Sequence, residues 1–400
     1  MKRRNFMQAA GAAALACGPL RLWAVPATVA KTRFVLVLLR GGYDAASLLI
    51  PYQSSFYYEV RPNIAIARPG SGADSAKALD GTWALHPALS RSIYPLYQAK
   101  QVAFIPFAGS QDKSRSHFHA QDILELGQGY DARLEYGSGF LNRTVEVLGH
   151  AGHGGVSFTD NLPLVFKGKA NVSNLGVKRG DKHALNQRQS DLLEKMYEGT
   201  SLGQNVHDGL ETRRQMGDEL QQEMIDSARG AANAKNFEQK ARRMARLMVD
   251  NANYSVGFVD VGGWDTHVHQ GAAQGTLSDR LRSLGEGLAG FAQEMGPAWR
   301  DTVVVVASEF GRTFRENGDK GTDHGHGSVI WVLGGGIAGG RVAGEQIGVS
   351  YDSLFQNRDF NVLNEYRSLL GYVFARQYGF DNTGLEYIFP GAASARYAFL

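Results

Sequence analysis

Five short runs of unbroken apolar character constrain this chain more than any other feature. Arg33–Leu39 reads RFVLVLL, and Val102–Pro106, Val256–Val261, Val303–Ala307 and Val329–Leu333 have the same character. A strand with one wet face alternates apolar and polar residues, whereas an unbroken run fits a strand covered on both faces, as in parallel sheets. Between the runs lie segments with helical spacing, at about 88–99, 277–295 and 364–378. Strands alternating with helices predict an α/β fold, a mostly parallel sheet with helices on both faces. Open sheets of that kind bind ligands beyond the carboxyl ends of their strands. The residues that follow each run are therefore the ones to inspect.

Residues 185–250 differ from the rest. They are rich in Gln, Glu, Arg, Met and Ala at helical spacing, and they predict a helical insertion of two or three helices. The glycine-rich stretch 149–155 reads as a loop. With no internal repeat and no long linker, residues 28–400 are expected to form one α/β domain carrying that insertion.

The first 27 residues read as an address. Lys2-Arg3-Arg4 is followed by a weakly apolar Ala/Gly run from Ala9 to Ala16, and small residues near Ala27 and Ala30 offer cleavage sites. This has the form of a twin-arginine signal peptide, which implies the twin-arginine export machinery as a partner and a periplasmic or secreted protein. Gly18, Pro19 and Arg21 interrupt the apolar run well short of the ~20 residues a membrane span needs, so no stable transmembrane anchor is expected. Four of the 42 basic residues and none of the 39 acidic ones lie in this segment, leaving the remainder with one net negative charge. A nucleic-acid partner needs a basic surplus, and none is left. Cys17 is the only cysteine. A mature chain without it has no disulfide, thiolate metal site or cysteine nucleophile.

Four polar blocks follow the apolar runs. In Arg40-Gly41-Gly42-Tyr43-Asp44 the glycines permit a tight turn, and Asp44 is placed either as a hard-metal ligand or as a turn residue bonding its own backbone. In Ser114-Arg115-Ser116-His117-Phe118-His119, Ser116 stands at a helix start. It reads as an N-cap or as a nucleophile in front of helix N–H groups that attract an anion. Gly262-Gly263-Trp264-Asp265-Thr266-His267-Val268-His269 brings one Asp and two His within five residues. The last block is split between Ser308-Glu309-Phe310-Gly311-Arg312-Thr313 and Gly321-Thr322-Asp323-His324-Gly325-His326-Gly327. Histidines flanked by glycines suit close approach to a ligand. The metal-ligand set expected from these blocks is Asp44, Asp265, His267, His269, Glu309, Asp323, His324 and His326. Mixed O and N donors fit one or two divalent ions such as zinc or manganese.

In this order the blocks RGGYD, SHFHAQD, GGWDTH, SEFGRT and GTDHGHG resemble the exported family catalogued as domain of unknown function 1501. The likeness runs from about Phe34 to Gly391. Tyr43 and Ala45 depart from that family's usual Gly-Gly-Asn-Asp-Gly. The family itself is similar to a distant branch of the alkaline phosphatase and sulfatase superfamily. That resemblance implies an alkaline-phosphatase-like fold with Asp44 as a first metal ligand and Ser116 in the nucleophile position. It further implies Asp265 with His267 or His269 as a middle pair, Glu309 in place of a usual Asp-His, and His324 or His326 as a last ligand. Neither Ser114 nor Ser116 has the setting of a formylglycine sulfatase. The activity implied is metal-dependent hydrolysis of a small or polymeric phosphate or sulfate ester, with Arg40 or Arg312 stabilising developing charge. The alternative is a non-catalytic exported binding protein that keeps the fold.

Overall fold

The computed structural model describes residues 31–149, 153–175, 227–231, 234 and 237–400. The expected signal segment 1–27 and most of the expected insertion, up to residue 226, lie outside them. The main-sheet strands are β1 (Arg33–Leu39), β5 (Val102–Gly109), β6 (Gly154–Ser157), β7 (Val172–Asn174), β8 (Tyr254–Val261), β9 (Thr302–Ser308), β10 (Ser328–Gly334), β11 (Arg341–Val342) and β12 (Asn364–Glu365). A small antiparallel sheet holds β2 (Leu49–Ile50), β3 (Lys77–Ala78) and β4 (Ala84–Leu85). The helices are α1 (Ala45–Leu48), α2 (Ser55–Glu59), α3 (Ile93–Gln98), α4 (His117–Leu126), α5 (Phe140–Leu148), α6 (Phe237–Asp250), α7 (Thr276–Met295), α8 (Tyr366–Tyr378) and α9 (Asn382–Ile388).

Across the main sheet the order is β11-β5-β10-β9-β1-β8-β6-β7, with β12 also paired to β5. Only β10 runs against its neighbours β9 and β5, so the mostly parallel sheet expected from the unbroken apolar runs is what forms. Alternate residues of β1 feed the two faces. Val35, Val37 and Leu39 pack in the layer that holds Met244 and Met248 of α6 and Leu281, Leu284 and Leu288 of α7. Phe34, Leu36 and Leu38 pack on the other side with Ile123, Phe140, Leu141, Leu369 and Phe374. Burying a side chain of this kind contributes roughly 1.5–3 kcal/mol, and the two layers explain why the central strands carry no polar alternation. Helix α6 buries Phe237, Ala241, Met244, Ala245 and Met248, three- and four-residue spacings that make one stripe. The last part of the 185–250 stretch is thus a core-forming helix.

Register decides where the polar blocks meet. Leu39 lies level with Val261 of β8 and with Ser308 of β9, so the blocks after β1, β8 and β9 leave the sheet side by side. Because β10 is antiparallel, the Gly321–Gly327 block enters the sheet at this same edge, where Ser328 pairs with Ala108 near the end of β5. The segment after β5 then carries Ser116 and His117 to the edge.

Three local readings are corrected. Gly154 and Gly155 are not loop but strand β6, parallel to β8. The sequence hides it because a Cβ at Gly155 would press on Phe166, Val172 and Val145 at 3.0–3.1 Å, so glycine is what fits there. The 88–99 helix is split into a turn at Pro87–Leu89 and α3. Asn364 and Glu365 pair with β5 rather than opening α8, and the Glu365 carboxylate caps that helix through the Arg367 and Ser368 N–H groups. Among the described residues no helix is long and apolar enough to cross a membrane.

Candidate metal centre

Glycines let the blocks touch through their backbones. Gly41 has φ +120°, and a Cβ there would sit 2.6 Å from the Asp265 nitrogen, so only glycine allows the first block to lie on the third. A Cβ at Gly311 would overlap the Gly327 carbonyl, which binds the two halves of the fourth block together.

In this frame His117, Asp265 and His324 each turn one ligand atom inward, all within 4.8 Å of one another. His117 Nε2 is 2.9 Å from His324 Nε2 and 3.5 Å from Asp265 Oδ2. His267 joins through the same partners, with its Nε2 3.0 Å from His324 Nε2 and 2.8 Å from Asp265 Oδ1. Phe310 packs against the His117 and His324 rings at 4.7 and 5.1 Å and screens that side from water.

What turns each imidazole is a hydrogen bond at its other nitrogen. His117 Nδ1 meets Glu309 Oε1 at 2.8 Å, His267 Nδ1 meets Asp323 Oδ1 at 3.3 Å, and His324 Nδ1 meets the Arg115 carbonyl at 3.1 Å. All three partners are acceptors, so each Nδ1 is placed to keep its proton and each Nε2 is the nitrogen that would face an ion. Glu309 is itself fixed, accepting also from the Gly41 N–H at 2.8 Å and the Gln121 amide at 2.9 Å. The Arg312 guanidinium bonds Asp265 Oδ1 at 2.5 Å.

Charge follows this wiring. Burial works against a charged His117, but its bonds to Asp265 and Glu309 outweigh burial and raise it to about 9. Burial likewise opposes Glu309 ionisation, and His117 overcomes it, bringing the carboxyl down to about 2. Asp265 lies far below the usual carboxylate range: burial opposes its charge, and the three histidines and Arg312 outweigh that. Burial dominates at His324 and lowers it.

The donor set fits a divalent cation. Two Nε2 atoms at 2.9 Å need something positive between them, either a shared proton or an ion. Asp265 Oδ2 is buried with no hydrogen-bond partner, an orphan that a cation would satisfy. Imidazole nitrogens and one carboxylate suit zinc or a similar ion. Among the described residues this is the one group of three or more such side chains that converges.

Other expected residues sit elsewhere. Asp44 is buried in a fork with Arg61, whose Nη1 and Nη2 lie 2.6 and 3.0 Å from Oδ2 and Oδ1, and it accepts further bonds from Ser47 and Gln270. Gln270 accepts from Thr322, which also accepts from the Arg312 Nε, so Asp44 is joined to the centre only through a relay. Arg40 is buried and committed to Asp260, Glu125 and Gln121 at 2.8–2.9 Å. Arg312 is fully buried and bonds Asp265 and Thr322. Asp323 lies outside the centre, with its carboxylate on His267 and Asn317. His269 is on the surface, and His326 is buried against Phe355, burial lowering it to about 4. Ser116 is the residue before α4, half-buried, and its hydroxyl makes no capping bond.

The residue that sequence reasoning passed over is His117. It lies inside the SHFHAQD block, directly after the serine expected as nucleophile. A histidine in the first position of a helix that follows a buried strand was the available signal. Arg61 carried none, since it stands 17 positions from Asp44 in a segment without pattern.

A family model described as "Protein of unknown function (DUF1501)" matches residues 31–388. No curated protein matches the chain. Several solved structures resemble it at low identity. A protein in the alkaline phosphatase superfamily from Vibrio parahaemolyticus is 10% identical, over 76% of this chain and 60% of that one, with a TM-score of 0.36. Ps i-CgsB is 9% identical over 88% of this chain and 72% of its own, with a TM-score of 0.40. The lipoteichoic acid synthase LtaP from Listeria monocytogenes is 9% identical over 89% and 74%, with a TM-score of 0.37. The chain thus spans about three fifths of the length of the Vibrio protein.

Proposed function

This chain belongs to the DUF1501 family of proteins of unknown function, and from that premise we propose that it is an exported, metal-dependent hydrolase of phosphate or sulfate esters. One observation carries the reading: His117, His267 and His324 all have Nδ1 held by an acceptor, so that Nε2 converges beside the unpartnered Asp265 Oδ2. His117, Asp265 and His324 would hold the ion, with His267 beside them. A divalent cation, when bound, supplies Lewis-acid polarisation of an ester oxygen.

The chain's own residues do the rest. Glu309 and Asp323 hold the Nδ1 protons of His117 and His267 and so turn their Nε2 atoms toward the place an ion would take. Arg312 keeps Asp265 ionised and aimed. Ser116 opens the ten-residue helix α4 immediately before His117, with a hydroxyl not used as a cap. It is the proposed nucleophile: its oxygen bonds phosphorus or sulfur as the alcohol leaves with the serine's proton, and water then cleaves the seryl ester and restores the hydroxyl. Arg40 and Arg312 are engaged by buried carboxylates, which leaves the N–H groups at the start of α4 to meet charge developing on the ester.

The reading is tested by offering zinc- or manganese-loaded protein a phosphomonoester, a phosphodiester and a sulfate ester. Turnover of one, abolished by His117→Ala, supports it. A protein that binds the ion stoichiometrically and turns over none of the three is the binding protein of the alternative reading. Export rests on Arg3 and Arg4. Arg3→Lys with Arg4→Lys should hold the precursor in the cytoplasm, and unchanged processing would sink that part of the proposal.

A further inference from the structure

Asp359 is among the buried carboxylates outside the centre that have no role in the function proposed above. Asp359 has its side chain fully buried, and its Oδ2 accepts from Arg115 Nη2 at 2.7 Å and from Nε at 3.2 Å. Arg115 Nη2 also reaches Gln356 Oε1 at 2.8 Å. The backbone of Arg115 is in the left-handed region at φ +55°, which a non-glycine residue adopts only when its surroundings hold it there. That unusual turn aims the Arg115 carbonyl at His324 Nδ1, 3.1 Å away.

The segment bearing Asp359 is braced against the same block that carries His324. Asp359 bridges to Thr313, the Phe314 N–H donates to the Arg358 carbonyl, and the Gly327 N–H donates to the Phe360 carbonyl. Thr313 in turn donates its N–H to the Asp323 carbonyl. Residues 358–360 therefore touch both sides of the loop that presents His324. A guanidinium fork anchored in that brace is a rigid way to hold a strained carbonyl in place.

We propose that Asp359 and Arg115 are positioning residues of the metal centre. Asp359 clamps the Arg115 guanidinium, and the clamp keeps the Arg115 carbonyl on His324 Nδ1, so that His324 is fixed in the tautomer that offers Nε2 to a cation. Of the three inward imidazoles, His117 and His267 are oriented by carboxylates in their own right. His324 depends on a backbone carbonyl, and that carbonyl depends on a residue far away in sequence. The inference rests on the reading that His117, Asp265 and His324 hold an ion.

The test has two readouts. Zinc affinity, measured by competition with a chelator, should weaken about 10–100-fold in Asp359→Ala, the range seen when an outer partner of a ligand is lost. In metal-free protein, nitrogen-15 NMR of the His324 ring should show a single Nδ1–H form in the wild type and a mixture in the variant. A purely structural ion pair would lower the melting temperature without moving the His324 signals. If Asp359→Ala does not fold, Arg115→Gly carries the test: the guanidinium is 27% exposed and glycine accepts this φ. Arg115→Lys keeps the charge but loses the fork, and it should restore only part of the affinity. Wild-type zinc affinity together with an unmixed His324 tautomer in a folded variant overturns the proposal. Should the wild type bind no zinc, the metal reading fails, and the His324 tautomer in the metal-free variants still decides this one.

Discussion

Asp44 and Asp265 begin alike and end differently. Each follows the carboxyl end of a central parallel strand, each is almost fully buried, and each read from sequence as a metal ligand. Around Asp44 the chain supplies its own cation: Arg61 makes a two-pronged bond, Ser47 and Gln270 complete the shell, and no oxygen is left over. Around Asp265 the chain supplies one arginine and three imidazoles whose Nε2 atoms crowd together, and Oδ2 makes no hydrogen bond, with His117 Nε2 3.5 Å away. A buried carboxylate has to be neutralised or paired. Where the chain's own donors satisfy the carboxylate the site is closed, and at Asp265 one oxygen is left without a hydrogen bond, which a bound cation would answer.

This contrast can be broken in order of expected effect. Arg61→Ala leaves Asp44 buried and unpaired, and should cost about 3–5 kcal/mol of stability in a denaturant titration, whether or not metal is present. A small loss would mean that Asp44 is not closed by Arg61. His324→Ala should behave in the opposite way. Metal-free stability should change by no more than about 1 kcal/mol. The stabilisation by excess zinc, roughly 4 kcal/mol at a thousandfold excess over Kd, should largely vanish from the melting curve. Equal zinc stabilisation in the wild type and this variant would remove His324 from the site.

Acid gives a third test. Burial opposes the charge on Asp44, and Arg61 more than compensates, so its folded pKa lies below the ordinary 3.8. A depressed carboxylate contributes stability that is complete above the unfolded value and is lost as pH falls through the folded one. The denaturation midpoint should therefore drop as pH falls below about 4. The drop should be shallower in the paired variant Asp44→Ala with Arg61→Ala, and parallel acid curves would refute the assignment. The smallest effect on stability is expected at Ser116. Because its hydroxyl makes no capping bond, Ser116→Ala should shift stability by less than about 0.5 kcal/mol, below the range for a lost cap. Its effect on ester turnover should be orders of magnitude, and an active variant would leave the nucleophile elsewhere.

The sheet was legible because its central strands are buried on both faces, and burial on both faces removes polar residues from the sequence. The blocks were legible because strand register forces them to one edge. Strand β6 escaped because close packing replaced its apolar residues with glycine. The division of labour at the edge escaped for a different reason. Residue type places Asp44 and Asp265 in one class, and only their neighbours separate them. Arg61, Gln270 and His117 reach their partners across 17, 226 and 192 positions, and nothing in local pattern encodes such pairings. The same distance hid the engagement of Arg40 and Arg312: each is answered by a carboxylate far away in sequence, Asp260 within β8 and Asp265 just after it.

Elemental analysis of the purified, folded protein after dialysis against zinc, set beside the combined variant His117→Ala with His324→Ala, tests the centre most directly. The account predicts one divalent ion per chain in the wild type and none in the variant, with both proteins giving the same circular dichroism. A wild type that carries no ion, or a folded variant that carries as much as the wild type, would contradict it.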